Sequence, residues 1–150
     1  MMRRAGYILL VEDNPDDIEL TKRAMSANNI ANKTIVAKDG QEALDFLLEK
    51  GELEGKIMEK YPTVVLLDIK MPKVDGLEVL KKLRSDQRTR VLPIVILTGS
   101  SEERDVIESY NLGANSYIRK PVGFNQFVEA IKELGLYWLI LNEPVPNSGA

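Results

Sequence analysis

The chain reads as a single α/β domain in which a parallel sheet is covered by helices on both faces. Three observations predict it. Short apolar runs recur without period-two alternation, as strands buried on both faces require. Segments of helical spacing separate those runs. Strand and helix alternate through 150 residues, a length that buries about 70% of the unfolded surface in one core. Right-handed crossovers are expected between consecutive strands.

Tyr7-Ile-Leu-Leu-Val11 is the first strand. Asn14 can cap the helix that follows, Pro15 suits its first position, and Asp16 and Asp17 complement the positive end of its dipole. A helix over about 15–28 results. The weaker run Thr34-Ile-Val-Ala37 is the second strand, and 40–49 reads as a helix with Ala43, Leu44 and Leu47 as its apolar stripe. The charged stretch 51–61 is expected to be a solvated connection. Val64-Val-Leu-Leu67 is the third strand, followed by a helix over 76–85 with Leu77, Val79, Leu80 and Leu83 at helical spacing.

Ile94-Val-Ile-Leu97 is the fourth strand. Ser100-Ser-Glu-Glu103 has the capping-box pattern and predicts a helix carrying Val106, Ile107 and Tyr110, which Gly113 ends. Ser116-Tyr-Ile-Arg119 is a fifth strand whose polar content suggests a sheet edge. The last helix places Phe124, Phe127, Val128, Ile131, Leu134, Trp138 and Leu141 on one face. The domain therefore spans 7–141, with an extension over 1–6 and a tail over 142–150 that is expected to fray.

Composition removes several chemistries. With no Cys and no His there is no disulfide framework, no thiolate nucleophile, no Ser-His-Asp triad, no His/Cys zinc site and no phosphohistidine. A metal must sit on oxygen ligands. The net charge of −3 lacks the positive excess that nucleic acid or anionic lipid selects. The apolar run Tyr7–Val11 is too short for a secretory signal, and the run 134–141 is far short of the ~20 residues needed to cross a bilayer. A soluble, cytoplasmic protein is the expectation, with neither nucleic acid nor membrane as a partner.

In an open α/β sheet ligands bind beyond the carboxyl ends of the strands, so the residue after each apolar run is informative. The first strand runs into Glu12-Asp13, the third into Asp68, the fourth into Thr98 and the fifth into Lys120-Pro121. Each alone is an ordinary cap or solvated charge. Together, three carboxylates, a hydroxyl and an ammonium converge on one end of the sheet. Two carboxylates ~4 Å apart repel by roughly 4 kcal/mol at an effective dielectric of ~20, so a positive charge must share the site. Lys120 offers one. One carboxyl could instead be protonated, but oxygen ligands favour a hard cation, and Mg²⁺ commonly binds one or two carboxylates together with a phosphate.

Neither G-x-G-x-x-G nor G-x-x-x-x-G-K-[ST] occurs, which leaves a standard nucleotide loop unsupported. What remains is a carboxylate acting as nucleophile toward a phosphoryl group, giving an acyl phosphate. Asp68, after the strand expected near the middle of the sheet, is the natural acceptor. A Mg²⁺-dependent phosphohydrolase would need a general acid, and Lys70 stands two residues after Asp68 where an Asp is usual. A flavodoxin-like FMN carrier would need a Ser/Thr-rich loop after the first strand, which is missing.

Glu12-Asp13, Asp68 with Met71-Pro72 and Asp75-Gly76, Thr98, and Lys120-Pro121 resemble the signature of response-regulator receiver domains over about 7–141. That resemblance implies a doubly wound five-stranded parallel sheet of order 2-1-3-4-5 in a flavodoxin-like receiver fold. It also implies a partner sensor histidine kinase that donates its phosphoryl group to Asp68. By the same resemblance Asp13, Asp68 and the backbone carbonyl of Lys70 are direct Mg²⁺ ligands, while Glu12, in place of the more frequent Asp, acts largely through water. Lys120 pairs with the phosphoryl oxygens, Thr98 hydrogen-bonds one of them and carries the switch, and Tyr117 is the aromatic that turns inward with it. Pro121 is similar to the family's cis proline that aims Lys120. Such a chain is a phosphoacceptor switch with slow loss of the phosphoryl group rather than a turnover enzyme. Lys70 and Ser100 border the approach and could tune its lifetime.

The run SYNLGANSYIRKPVGF over 109–124, with Trp138, Leu139 and Glu143-Pro144, resembles single-domain regulators paired with bacterial phytochrome-type histidine kinases. The chain ends soon after the last helix, so output is expected at a surface rather than in an effector domain. Leu136, Tyr137, Leu139 and Ile140 make that helix apolar on its second side, and an exposed apolar patch marks an interface. These residues and Tyr110 predict a homodimer through the fourth helix, fifth strand and fifth helix. An unidentified downstream protein is the remaining partner.

Overall fold

The computed structural model describes residues 6–30, 32–56, 60–99, 102–120 and 124–135. Five strands, β1 (Tyr7–Val11), β2 (Lys33–Ala37), β3 (Val64–Leu67), β4 (Ile94–Thr98) and β5 (Ser116–Arg119), alternate with five helices. The helices are α1 (Pro15–Ala27), α2 (Gly40–Leu48), α3 (Gly76–Ser85), α4 (Glu103–Asn111) and α5 (Phe124–Gly135). All strand pairings are parallel, in the order β2-β1-β3-β4-β5. The doubly wound order implied by the resemblance is therefore present, and β5 lies at an edge as its polar residues suggested.

Every residue of β1, β3 and β4 is buried, which is why these strands lack alternation. Side chains divide by parity between two cores. Leu9, Val11, Leu67 and Ile96 pack with Phe46 and Leu47 of α2 and Leu80 and Leu83 of α3. Ile8, Leu10, Leu66 and Leu97 pack with Ala24 and Met25 of α1 and Phe127 and Ile131 of α5.

Helix starts are fixed by polar side chains. Asn14 Oδ1 accepts from the amides of Asp16 and Asp17 at 2.8 and 3.1 Å, Asp39 from Glu42 at 2.8 Å and Asp75 from Glu78 at 3.0 Å. α4 ends in a Schellman arrangement, with the Gly113 amide donating to Tyr110 O and the Ala114 amide to Ser109 O. Gly113 has φ +104, and a Cβ there would meet the Arg84 side chain at 3.0 Å. Arg84 fastens this corner: its guanidinium donates to the carbonyls of Gly113 (2.9 Å), Leu92 (2.8 Å) and Thr89 (3.4 Å) and to Asn115 Oδ1 (2.9 Å).

Three expectations change. The connection after α2 is not simply solvated: Leu53 is buried at 5% exposure, Leu53 and Lys56 form an antiparallel bridge, and Glu54 Oε2 accepts from the Val36 amide of β2 at 2.8 Å. The apolar leucine has room in the α2 core, and the carboxylate satisfies an outward amide on the edge strand. The described part of α4 starts at Glu103, with Glu102 as an N-cap making no side-chain cap bond; Ser100 and Ser101 lie outside the described residues. α4 also turns its polarity around, since Ile107 and Tyr110 are 54% and 49% exposed while Asp105 and Ser109 are its buried residues. Packing against β5 and α3 decides the orientation of this helix, not its apolar spacing.

Candidate functional site

The ladder runs one residue past the strands, and this pins the polar residues. The Glu12 amide donates to Ala37 O at 3.0 Å, the Asp68 amide to Val11 O at 3.1 Å and the Lys120 amide to Thr98 O at 2.7 Å. Each side chain therefore leaves the sheet from a backbone already tied to a neighbouring strand. Thr98 is the last residue of β4 and is buried.

One ligand oxygen from each of Glu12, Asp13 and Asp68 lies within 4.8 Å of the others. Glu12 and Asp68 are 2% and 7% exposed, and Asp13 is half-buried. Asp68 Oδ1 accepts from the Ile69 amide at 2.9 Å. The donors are hard carboxylate oxygens with no nitrogen or sulfur among them, the set that suits Mg²⁺ or Mn²⁺.

Lys120 supplies the positive charge. Its Nζ lies 2.5 Å from Glu12 Oε1 and 3.1 Å from Asp17 Oδ2, with the side chain nine-tenths buried. Burial pushes the Glu12 carboxyl up to about 7, against the hydrogen bond from Lys120 and with the added repulsion of Asp68. Burial opposes the charge on Lys120, yet the hydrogen bond and charge of Glu12, followed by Asp68, hold it above the ordinary lysine value. Lys120 is thus a firmly positive group facing an acid that gives up its proton only near neutrality.

Asp17, Asp68, Lys70, Thr98, Gly99, Glu102 and Lys120 line an open cavity of about 560 Å³ at this end of the sheet. Lys70 itself is exposed and extends toward α4, with Nζ 4.0 Å from Glu102 Oε1 and 3.9 Å from Asp105 Oδ2. Tyr117 is half-buried and packs against the α2/α3 core. It pairs with Ile96, and Thr98 pairs with Arg119, so Tyr117 and Thr98 share one face of the sheet a single step apart.

The five strand-end residues are thus brought to one place. Pro121, Leu136, Tyr137, Leu139 and Ile140 lie outside the described residues. Tyr110 is exposed on α4 and is not among the residues that line the cavity.

Sequence reasoning missed the site roles of Asp17 and Glu102 and the physical reason for Gly76. Asp17 was assigned to the helix dipole alone, but from the first turn of α1 it reaches Lys120, and no local sequence signal sets it apart from Asp16. Glu102 lines the cavity wall, and only the position of α4 reveals it. Gly76 has a steric role, since a Cβ there would stand 2.0 Å from Asp68 O while its amide donates to Ile69 O at 2.8 Å. The start of α3 therefore abuts the backbone of Asp68 directly.

A family model described as the response regulator receiver domain matches residues 8–132. Response regulator Rcp1 of Synechocystis sp. is 35% identical over 132 residues, covering 88% of each chain; a solved Mn²⁺-bound form of Rcp1 superposes with TM-score 0.82 over 93% of this chain and 99% of that one. The bacteriophytochrome response regulator RtBRR is 50% identical, covering 97% of this chain and 87% of that one, with TM-score 0.74. The phosphorylated cyanobacterial phytochrome response regulator RcpA is 34% identical over 90% of this chain and 94% of that one, with TM-score 0.80.

Proposed function

The chain belongs to the response regulator receiver domain family, and from that premise we propose that it accepts a phosphoryl group on Asp68 from a phytochrome-type sensor histidine kinase, with Mg²⁺ in the site. The observation that carries this reading is the placement of the Asp68 carboxylate, nearly buried, between a cluster of hard oxygen donors and a cavity lined by Lys120 and Thr98. Two phytochrome response regulators among the similar structures support the choice of kinase.

In the transfer, an Asp68 carboxylate oxygen attacks the phosphorus of the kinase's phosphohistidine. A P–O bond forms as the P–N bond breaks, and the imidazole leaves with the electron pair and is then protonated. Asp13, Asp68 and the Lys70 carbonyl would hold Mg²⁺ directly, and Glu12 through water. Bound there, the ion supplies neutralisation of the charge that gathers on the phosphoryl oxygens. Lys120 remains protonated and pairs with one of those oxygens, and the Thr98 hydroxyl donates to another. Water attack at phosphorus later returns Asp68 and inorganic phosphate, which makes the domain a switch and not a turnover catalyst.

The added charge of roughly −1.5 to −2 is the input, and Thr98 and Tyr117 on their shared face are its relay. Pro121 would aim Lys120. For output we place the dimer surface on α4, β5 and α5, where Ile107 and Tyr110 already stand exposed. No helix of the described residues is long and apolar enough to cross a membrane.

The test is intact mass after incubation with Mg²⁺ and acetyl phosphate. Wild type should gain one phosphoryl group and Asp68→Asn none. A gain that persists in Asp68→Asn makes Asp68 the wrong acceptor. Sedimentation at high concentration, with and without phosphorylation, tests the dimer, and a monomer in both states removes it.

A further inference from the structure

α4 is held less by apolar packing than the other helices that carry the site. Its buried face presents Asp105 and Ser109, and the Ser109 hydroxyl is buried without a hydrogen-bond partner among the described residues. Its apolar Ile107 and Tyr110 face outward. The first turn lacks a side-chain cap bond, so the charges around that turn carry unusual weight.

One of those charges comes from the acceptor loop. Lys70, two residues past Asp68, reaches Asp105 Oδ2 at 3.9 Å and Glu102 Oε1 at 4.0 Å. The ammonium lies on the rim of the same cavity as Asp68, Thr98 and Lys120. The two lysines of that cavity are held very differently. Lys120 is nine-tenths buried and bonded at 2.5 and 3.1 Å, whereas Lys70 is 64% exposed and at the outer limit of an ion pair.

A flexible, exposed ammonium at that distance exchanges partners readily, and a phosphoryl group on Asp68 would offer it more negative charge than either carboxylate. We propose that Lys70 is a positioning residue shared between α4 and the acceptor site. It is paired with Asp105 and Glu102 at rest and drawn to the aspartyl phosphate when one forms, so that phosphorylation loosens the first turn of α4. This inference rests on Asp68 being the phosphoacceptor.

The experiment is amide hydrogen exchange over α4, with acetyl phosphate and Mg²⁺ or with Mg²⁺ alone, and intact mass on each sample. In phosphorylated wild type the α4 amides should exchange about two- to fivefold faster, the range an exposed ion pair is worth. Asp105→Asn should show the faster exchange before phosphorylation and less than half the further change after it. Lys70→Met should behave as Asp105→Asn does, and Lys70→Arg should restore the wild-type response. Phosphorylated wild type with unchanged α4 exchange overturns the inference alone, as does a full wild-type response in Asp105→Asn or Lys70→Met. Wild type that gains no mass overturns the phosphoacceptor reading, and this inference with it.

Discussion

Lys120 donates to Glu12 at 2.5 Å although two strands, β3 and β4, lie between the strands that carry them. The lysine therefore reaches over the tips of both and meets a carboxylate that is 2% exposed. A carboxylate so far from water tolerates its charge only with such a partner. The pair ties the β5 edge of the sheet to β1 across its centre, where Asp68 stands.

The stability of the metal-free protein should fall as pH rises toward neutrality. Burial puts the folded Glu12 value at about 7, above the ordinary 4.5, so the folded state binds the extra proton across that interval. The contribution is fully present below the ordinary value and is lost as pH rises through about 7, at most about 3 kcal/mol. Urea unfolding in EDTA at pH 5.5 and 8 measures it. Glu12→Gln should lack this slope, and an identical slope in both proteins would assign it to other groups.

Mg²⁺ affinity should move the opposite way. A protonated Glu12 has no negative charge to offer the ion or its water, so binding must displace that proton. Below pH 7 the affinity should rise by up to about tenfold per pH unit and level off above it. Calorimetric Mg²⁺ titrations at pH 6, 7 and 8 would show this, with Asp13→Asn weaker at every pH.

Removing the cation should expose the cost of the buried acid. Lys120→Met leaves Glu12 near Asp68 without its partner and should lose about 3 kcal/mol at pH 8, in the range for breaking a buried pair. At pH 5.5 the loss should shrink, because Glu12 is then neutral in the folded chain. A loss of equal size at both values would point to packing of the lysine stem instead.

Gly76→Ala should couple a fold defect to a site defect. The new Cβ would stand 2.0 Å from Asp68 O, so α3 or the acceptor loop must shift, at about 1–3 kcal/mol. Phosphorylation by acetyl phosphate should slow at temperatures where the variant is still folded by circular dichroism. An unchanged rate would mean that α3 alone gives way.

Arg84→Met should cost about 2–4 kcal/mol in urea unfolding, since the carbonyls of Gly113 and Leu92 lose the guanidinium donor, while Thr89 O and Asn115 Oδ1 keep the amides of Leu92 and Ile94. Burial depresses the guanidinium pKa without threatening its charge. Arg84→Lys should recover only part, because an ammonium cannot reproduce the planar fork.

The sheet was legible because β1, β3 and β4 are buried on both faces and carry unbroken apolar runs. The strand-end residues were legible for a related reason: in a parallel sheet they all emerge at one end, so chain position already implies proximity. α4 was not legible in the same way. Its apolar residues have helical spacing, but tertiary packing turns Asp105 and Ser109 inward and leaves Ile107 and Tyr110 outside. Asp17 was hidden because its local duty at the start of α1 accounts for an acidic residue there without reference to Lys120. Gly76 was legible as part of a motif, while its reason, the close approach to Asp68 O, needs the fold.

The Glu54 bond to the Val36 amide bears on how copies of this domain can meet. The outer side of β2 would otherwise offer unpaired main-chain groups to any extended segment, the route by which sheets grow into one another and aggregate. A carboxylate on one of those amides, backed by the Leu53–Lys56 turn, obstructs that route at the edge farthest from β5. Strand addition at β2 is thereby disfavoured.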